Sequence, residues 1–376
     1  MTRQRDGSVA SAVLTFMFVL ACAPATAPAA PPASPAAKPA AKPAASNPGA
    51  PPAASAPTAA PAAQAPLQRV TMGVNNALSD APLFIAEDRG YFRDAGLDIG
   101  MEVFQGGAAM VAPLSAGQLD VGAGVLSTGL YNAIARGVAV RAVADRSREN
   151  GTGAILVRKD LYDSGRVRSP SDFKGLRFQM TSECTANEVT ITRYLSRYGV
   201  GLQDMEVLLI PFADTPAALA NGSIDVSTSP EPFPTRIEEA GSAVILHRVG
   251  ADTQPYRQLA VLMYAPTFAD DRDRATRFMT AYLRGVRDYH EAFFGSKAGR
   301  DEIVRLLVEK TTIKQPELYD QMVMPSIDPN GVVNLQSMMD DQDYYLAKGC
   351  QPQAIDMART VDMSFVEAAV ARIGRY

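Results

Sequence analysis

The chain of 376 residues contains no tryptophan, two histidines and three cysteines, and only 7% of its residues are aromatic. So few aromatic side chains argue against a platform on which nucleic-acid bases stack. The histidines, His247 and His290, are 43 residues apart with no clustered ligands around them, so no metal site is expected. G-x-S-x-G and Gly-Lys-Ser/Thr phosphate-loop motifs are also missing, and the sequence therefore predicts neither catalytic residues nor a cofactor.

An excess of positive charge is missing too. Residues 67–376 carry 32 basic and 39 acidic residues, which leaves no electrostatic footprint for nucleic acid and no polybasic membrane patch. The apolar run near the N-terminus, Val9 to Ala21, has 13 residues, whereas a helix needs about 20 to span a bilayer. Such a length suits the core of an export signal instead.

The N-terminal residues have the order expected of an exported protein. Arg3 and Arg5 precede the apolar run, which ends in Val19-Leu20-Ala21-Cys22. This ending resembles a bacterial lipoprotein signal, which implies a signal peptide over residues 1–21 and a lipid on Cys22. The alternative is cleavage at Ala21-Cys22-Ala23, which would give a soluble periplasmic protein. Both interpretations predict export.

An alanine- and proline-rich stretch follows this signal. Residues 23–66 contain 21 Ala and 13 Pro, a composition that cannot build a core. We expect residues 22–66 to form a disordered tether between the lipid on Cys22 and the folded body, with the protein in the periplasm or at the outer face of the cell membrane.

The body contains an internal repeat. Residues 112–121 align with residues 217–226 at an offset of 105 in the pattern A-x-L-x-x-G-x-[L/I]-D-V. The pattern predicts a short helix that ends at a glycine and is followed by a buried strand. In both copies the flanking segments alternate strand and helix, which favours parallel sheets. The sequence therefore predicts an α/β fold of two lobes, residues 67–160 plus 258–376 and residues 161–257, with a ligand cleft between them.

Two apolar segments, Gly153–Val157 and Leu259–Tyr264, lie outside the repeat and are expected at the two crossings between lobes. An amphipathic helix is predicted over about Pro82–Ala95, with Asp80 as its N-cap. In the second copy, Thr185 and Glu188 have the spacing of a capping box.

Short polar side chains follow the predicted strands, where open α/β sheets bind ligands. The candidate ligand-binding residues are Asn75, Asn76, Asp80, Gln105, Gly107, Ser127, Thr128, Thr181, Ser182, Thr185 and Glu231. The alternative for each is that it only caps a helix. Acidic residues Asp80, Glu183, Asp214 and Glu231 outnumber the nearest bases, Arg146 and Arg148, which favours a neutral or amine-bearing solute. Helix N-termini could still hold an anion such as a sulfonate.

Several segments together resemble a known family. They are Ala86-Glu87-Asp88-Arg89-Gly90-Tyr91-Phe92, Ala95-Gly96-Leu97-Asp98-Ile99, Leu114 to Val121, Asp172-Phe173-Lys174-Gly175, Glu231-Pro232 and Asp328-Pro329-Asn330-Gly331 with Asn334. In order and spacing, the body resembles the type 2 periplasmic binding proteins of nitrate, sulfonate, taurine and thiamine-pyrimidine importers. The resemblance implies a two-lobed, non-enzymatic receptor, which we expect to be monomeric, that delivers a small solute to an ABC permease. By position it also implies ligand contacts at Asn75, Asn76, Gly107, Ser127, Thr128, Ser182 and Glu231.

Two other functions stay open at this point. Some proteins of this fold are enzymes that make thiamine or menaquinone precursors, but they work in the cytosol, so the export signal argues against that function. A ligand sensor that engages a membrane signalling partner is the other alternative. The state of Cys184 and Cys350 is likewise open between a disulfide and two separate thiols.

Overall fold

The computed structural model describes residues 66–104, 106–250 and 256–376. The predicted signal peptide, Cys22, Gln105 and the tether up to residue 65 lie outside the described residues. Within the described ranges, no helix combines the length and apolar character needed to cross a membrane.

In the described residues the strands form two five-stranded sheets. They are β1 (Gln68–Val74), β2 (Leu97–Val103), β3 (Val121–Val125), β4 (Arg141–Arg148), β5 (Gly153–Arg158), β6 (Arg177–Met180), β7 (Glu206–Leu209), β8 (Val226–Pro230), β9 (Ala243–Val249) and β10 (Gln258–Tyr264). The first sheet has the order β2-β1-β3-β10-β4, and the second has the order β7-β6-β8-β5-β9.

Helices cover these sheets. They are α1 (Ala81–Asp88), α2 (Tyr91–Asp94), α3 (Ala108–Ser115), α4 (Thr128–Ala135), α5 (Lys159–Asp163), α6 (Ala186–Ser196), α7 (Thr215–Ala220), α8 (Phe233–Glu239), α9 (Pro266–Asp270), α10 (Arg272–Phe293), α11 (Arg300–Lys310), α12 (Leu318–Gln321), α13 (Leu335–Lys348), α14 (Met357–Thr360) and α15 (Ser364–Ile373). The largest hydrophobic cluster joins the first sheet to α1, α10 and α15, whereas smaller clusters line the second sheet.

The internal repeat corresponds to the order of strands in the two sheets. In the first copy β1 pairs in parallel with β2 and β3, and in the second copy β6 pairs in parallel with β7 and β8. The repeated aspartates, Asp120 and Asp225, accept the same kind of hydrogen bond in each copy. The backbone N–H of Thr71 donates to Asp120 at 2.9 Å, and that of Arg177 donates to Asp225 at 3.0 Å. Each carboxylate thus ties the start of the third strand to the first.

The two apolar segments outside the repeat are strands that each copy contributes to the other copy's sheet. β10 lies antiparallel between β3 and β4, and β5 lies antiparallel between β8 and β9. Because β5 belongs to the second sheet, the first lobe ends before Gly153, and the predicted boundary at residue 160 is too late. The described parts of the two crossings are therefore residues 149–152 in the first and residues 250 and 256–257 in the second.

The helix predicted over Pro82–Ala95 is two helices in the structure, α1 and α2. Gly90, between them, has a φ of 73°, which breaks the helical hydrogen bonding. Asp80 occupies the N-cap position of α1, but its carboxylate makes no capping bond. The hydroxyl of Thr185 does cap α6 through the N–H of Glu188, while Glu188 itself accepts from the backbone of Cys184 rather than completing the predicted box.

Cys184 and Cys350 form a disulfide with a Cα–Cα distance of 6.1 Å, which resolves the alternative that the sequence left open. The bond joins the start of α6, on the second lobe, to the turn after α13. Helix α13 also packs on the first lobe, where the ring of Tyr345 meets that of Tyr131 edge to face with centroids 5.6 Å apart. The C-terminal segment therefore contacts both lobes.

Candidate functional site

A cavity of about 360 Å³ lies between the two sheets, where parallel strands of both lobes end. Its volume is within the usual range for small-molecule sites. The first lobe, the first residue of the crossing that follows it (Glu149) and the C-terminal segment contribute Ala77, Leu78, Ser79, Val125, Ser147, Glu149, Leu259, Ala260 and Pro325. The second lobe and its crossing contribute Thr152, Gly153, Thr181, Ser182, Thr185, Ala186, Asn187, Phe212, Pro230 and Glu231.

The chemistry of the lining is uneven. Apolar side chains such as Leu78, Val125 and Phe212 form much of the wall, and hydroxyl and amide groups are interspersed among them. Two carboxylates, Glu149 and Glu231, complete the lining, and among the described lining residues none is a lysine or an arginine. The fixed charge of the described wall is therefore negative.

Glu231 has its own cation. Its side chain is 1% exposed, and its Oε1 atom lies 2.7 Å from Nη1 of Arg248. The hydroxyl of Thr235 donates to the same carboxylate, at 2.9 Å from Oε2. A buried carboxylate with a guanidinium and a hydroxyl against it is already compensated.

Glu149 has a different environment. It is 5% exposed and lies in the crossing between β4 and β5. Its Oε1 atom accepts hydrogen bonds from the backbone of Asn150, Gly151 and Gly153 and from the hydroxyl of Thr152, at 3.1 to 3.3 Å. Burial raises the pKa of this carboxyl, and the hydrogen bonds to Oε1 act in the opposite direction.

The loop that follows β1 is held by a buried ion pair. Oδ1 of Asp80 lies 2.5 Å from Nη2 of Arg146, and both side chains are almost wholly buried. Oδ2 of Asp80 accepts from the backbone N–H groups of Asn75 and Ala77, both at 3.0 Å. Asp80 therefore fixes the loop that presents Ala77, Leu78 and Ser79 to the cavity, but it does not line the cavity itself.

The predicted ligand-binding residues divide into two groups. Thr181, Ser182, Thr185 and Glu231 line the cavity together. The predicted residues that do not line it are Asn75, Asn76, Asp80, Gly107, Ser127 and Thr128, and Gln105 is outside the described residues.

Two residues of that second group, Ser127 and Gly107, make contacts beside the cavity without lining it. Ser127 forms an isolated bridge with Thr185, so it joins the first lobe to the second beside the cavity. Gly107 packs directly on the end of β3, since a Cβ atom at this position would lie 2.6 Å from the carbonyl oxygen of Val125. The glycine allows this close approach, which is different from the direct ligand contact expected of it.

The expected set of acids also differs in the structure. Asp80 is paired with Arg146, Glu183 lines a separate groove beside Lys348, and Asp214 is not among the residues that line the cavity. The two bases expected near the ligand pair with other acids. Arg146 pairs with Asp80, and Arg148 pairs with Asp145 at 2.9 Å. Of the four acids named from the sequence, only Glu231 lines the cavity.

Sequence reasoning missed Glu149 and Thr152. It considered the loops that follow parallel strands, whereas these residues lie in a crossing between lobes. A signal was present, because Glu149-Asn150-Gly151-Thr152 places an acid directly before an Asn-Gly turn between two β-prone segments. Among the described residues, no group of three or more His, Cys, Asp or Glu side chains could hold a metal ion.

A family model described as the NMT1-like family matches residues 63–308. No curated protein matches the sequence.

Solved structures share the fold. The periplasmic aliphatic sulphonate binding protein SsuA from Escherichia coli has a TM-score of 0.63 at 16% identity, covering 79% of this chain and 92% of that chain. The periplasmic nitrate-binding protein NrtA from Synechocystis PCC 6803 has a TM-score of 0.64 at 12% identity, covering 82% and 89%. The ligand binding component of an ABC-type import system from Staphylococcus aureus has a TM-score of 0.64 at 15% identity, covering 80% and 99%. The predicted two-lobed α/β fold is confirmed.

Proposed function

Because the chain belongs to the NMT1-like family, we propose that it is the solute receptor of an ABC importer and has no catalytic role of its own. The observation that carries this proposal is the cavity of about 360 Å³ whose wall comes from both lobes. A solute held there contacts both lobes at once, so binding stabilises the closed arrangement. The closed receptor then docks on the permease.

The cleft suits a small organic solute. Its apolar wall can take a hydrocarbon or aromatic body, while its hydroxyl groups and backbone can fix polar ends. From the sequence, the candidates are sulfonate- or taurine-like solutes and pyrimidine- or amine-like solutes. Sulfonate and nitrate binding are properties of the structural neighbours named above, whose sequence identity with this chain is below 20%.

The proposed site of action is the periplasm or the outer face of the cell membrane. A lipid on Cys22 and a tether over residues 22–66 would hold the receptor, as a monomer, within reach of a permease. Cell fractionation tests the anchor: Cys22→Ala should move the protein from the membrane fraction to the soluble exported fraction. An unchanged distribution would refute lipidation at this residue.

Native mass spectrometry of the exported protein, purified without refolding, tests the receptor function. We expect a co-purified molecule that is released intact on denaturation. Ser182→Trp should fill the cavity and reduce the bound fraction, whereas Glu183→Trp, next to it but outside the cavity lining, should not. Chemical conversion of the bound molecule by the purified protein would show an enzyme instead, and equal occupancy in both variants would place the solute elsewhere.

A further inference from the structure

Of the two carboxylates among the described lining residues, one has no cation. Glu231 is paired with Arg248 at 2.7 Å, whereas Glu149 forms no ion pair within the described residues although it is only 5% exposed. The neighbouring arginines are committed to other acids. Arg146 pairs with Asp80, and Arg148 pairs with Asp145. A buried carboxylate without a counter-ion is costly, and proteins pair such groups.

The two oxygens of Glu149 have unequal surroundings. Oε1 accepts four hydrogen bonds, three from backbone N–H groups and one from the hydroxyl of Thr152. Those bonds fix the carboxylate and favour its ionised form. Oε2 has no hydrogen-bond partner among the described residues, and the side chain lines the cavity. The protein thus orients this carboxylate and leaves one acceptor oxygen for another molecule.

We propose that the solute carries a positively charged nitrogen group, an ammonium, amidinium or guanidinium, that donates to Oε2 of Glu149. This inference rests on the proposed receptor function and specifies its substrate class. The cation would neutralise the one uncompensated charge among the described lining residues through a charge-assisted hydrogen bond, while the rest of the solute packs on Leu78, Val125 and Phe212. An anionic solute would add a second negative charge to the same low-dielectric space.

Three probes of nearly equal size and shape test the charge assignment. Benzamidine is a cation, benzamide is neutral and benzoate is an anion, and each is small enough for a cavity of about 360 Å³. Calorimetric titration of the wild-type protein, freed of co-purified solute by dialysis, should show benzamidine binding about tenfold to a hundredfold more tightly than benzoate. The wild-type comparison needs no variant, so it does not depend on whether a mutant folds.

Glu149→Gln identifies the residue responsible. The amide oxygen of glutamine can still accept the four hydrogen bonds now made to Oε1, so the turn should persist, and the melting temperature without probe checks this. The variant should lose the preference for benzamidine over benzoate, and its affinity for benzamidine should fall toward its affinity for benzamide. Glu183→Gln, which removes an exposed acid outside the cavity lining, should keep the wild-type preference.

The outcomes separate this inference from the receptor function. Benzoate binding as tightly as benzamidine, no benzamidine binding at millimolar concentration, or an unchanged preference in Glu149→Gln overturns the cationic solute. An acidic co-purified molecule that is released unchanged also overturns it, while the receptor function stands. Turnover of the co-purified molecule would instead overturn the receptor function, whatever the charge of that molecule.

Discussion

Removing the Cys184–Cys350 disulfide should lower the stability of the protein strongly. The bond closes a sequence separation of 166 residues, and it links α6 to the turn after α13. The paired substitutions Cys184→Ser and Cys350→Ser remove it without adding bulk. Noncovalent contacts between the two helices remain in this variant, among them the ion pair of Glu188 with Lys348. The native structure should therefore survive the change.

The magnitude follows from the loop that the bond closes. The chain-entropy relation gives about 5 kcal/mol at 25 °C for a loop of this length. Measured effects extend from about 0 to 5 kcal/mol, so we expect a loss of about 3 to 5 kcal/mol in the free energy of unfolding. Because the uncrosslinked unfolded chain is less compact, the dependence of that free energy on urea should also become steeper.

Urea unfolding followed by circular dichroism measures both quantities. Reductant should destabilise the wild-type protein by the same amount as the double substitution and should have no effect on the double variant, which provides the control. If the double variant unfolds within about 0.5 kcal/mol of the oxidised wild type, a size typical of neutral surface substitutions, then the disulfide does not constrain the unfolded chain as argued.

Three single substitutions test other parts of the structure. Burial tends to raise the pKa of Asp225, but hydrogen bonds and charge from Arg177 lower it overall. The ionised carboxylate therefore stabilises the fold at pH values above the pKa that Asp225 has in the unfolded chain. This contribution is lost as the pH falls through the pKa that Asp225 has in the folded protein. Asp225→Asn should therefore cost about 1.5 to 3 kcal/mol at pH 7 in urea unfolding, with a smaller difference in acid; a constant difference would contradict the linkage. Asp80→Asn leaves the buried Arg146 without its counter-ion and should cost about 3 to 5 kcal/mol, and a loss below about 1 kcal/mol would show that the pair behaves as an exposed one. Gly107→Ala forces a methyl group against the end of β3 and should lower stability by about 1 to 3 kcal/mol in thermal unfolding, whereas an unchanged melting temperature would refute the close approach.

The fold was largely predictable because the chain repeats itself. The match of residues 112–121 with 217–226 includes the aspartates that tie strands together in both copies, so a local pattern has a local structural cause. The location of β5 was harder to predict. An apolar, β-prone segment can fill a gap in either sheet, and only its pairing with β8 and β9 decides which one.

The candidate site was predictable only in part, for a similar reason. Thr181, Ser182 and Thr185 follow a strand and precede a helix, and the structure places them at the cavity. Asp80 has the same sequence context, but its carboxylate turns toward Arg146, 66 positions away in the sequence. The choice between capping and ion pairing depends on tertiary neighbours, which short-range patterns do not contain.

The position of Glu149 connects the proposed ligand contact to lobe movement. Its backbone N–H donates to the carbonyl of Arg257 at 2.8 Å, and its carbonyl accepts from the N–H of Tyr256 at 3.1 Å, so Glu149 links the two crossings, which together form the hinge between the lobes. Its side chain lines the cavity between the lobes. A solute bound to this carboxylate would touch the hinge and the walls of both lobes together, so its binding energy would depend on the angle between the lobes. A receptor requires this coupling, because a permease can distinguish loaded from empty receptors only through a difference in shape.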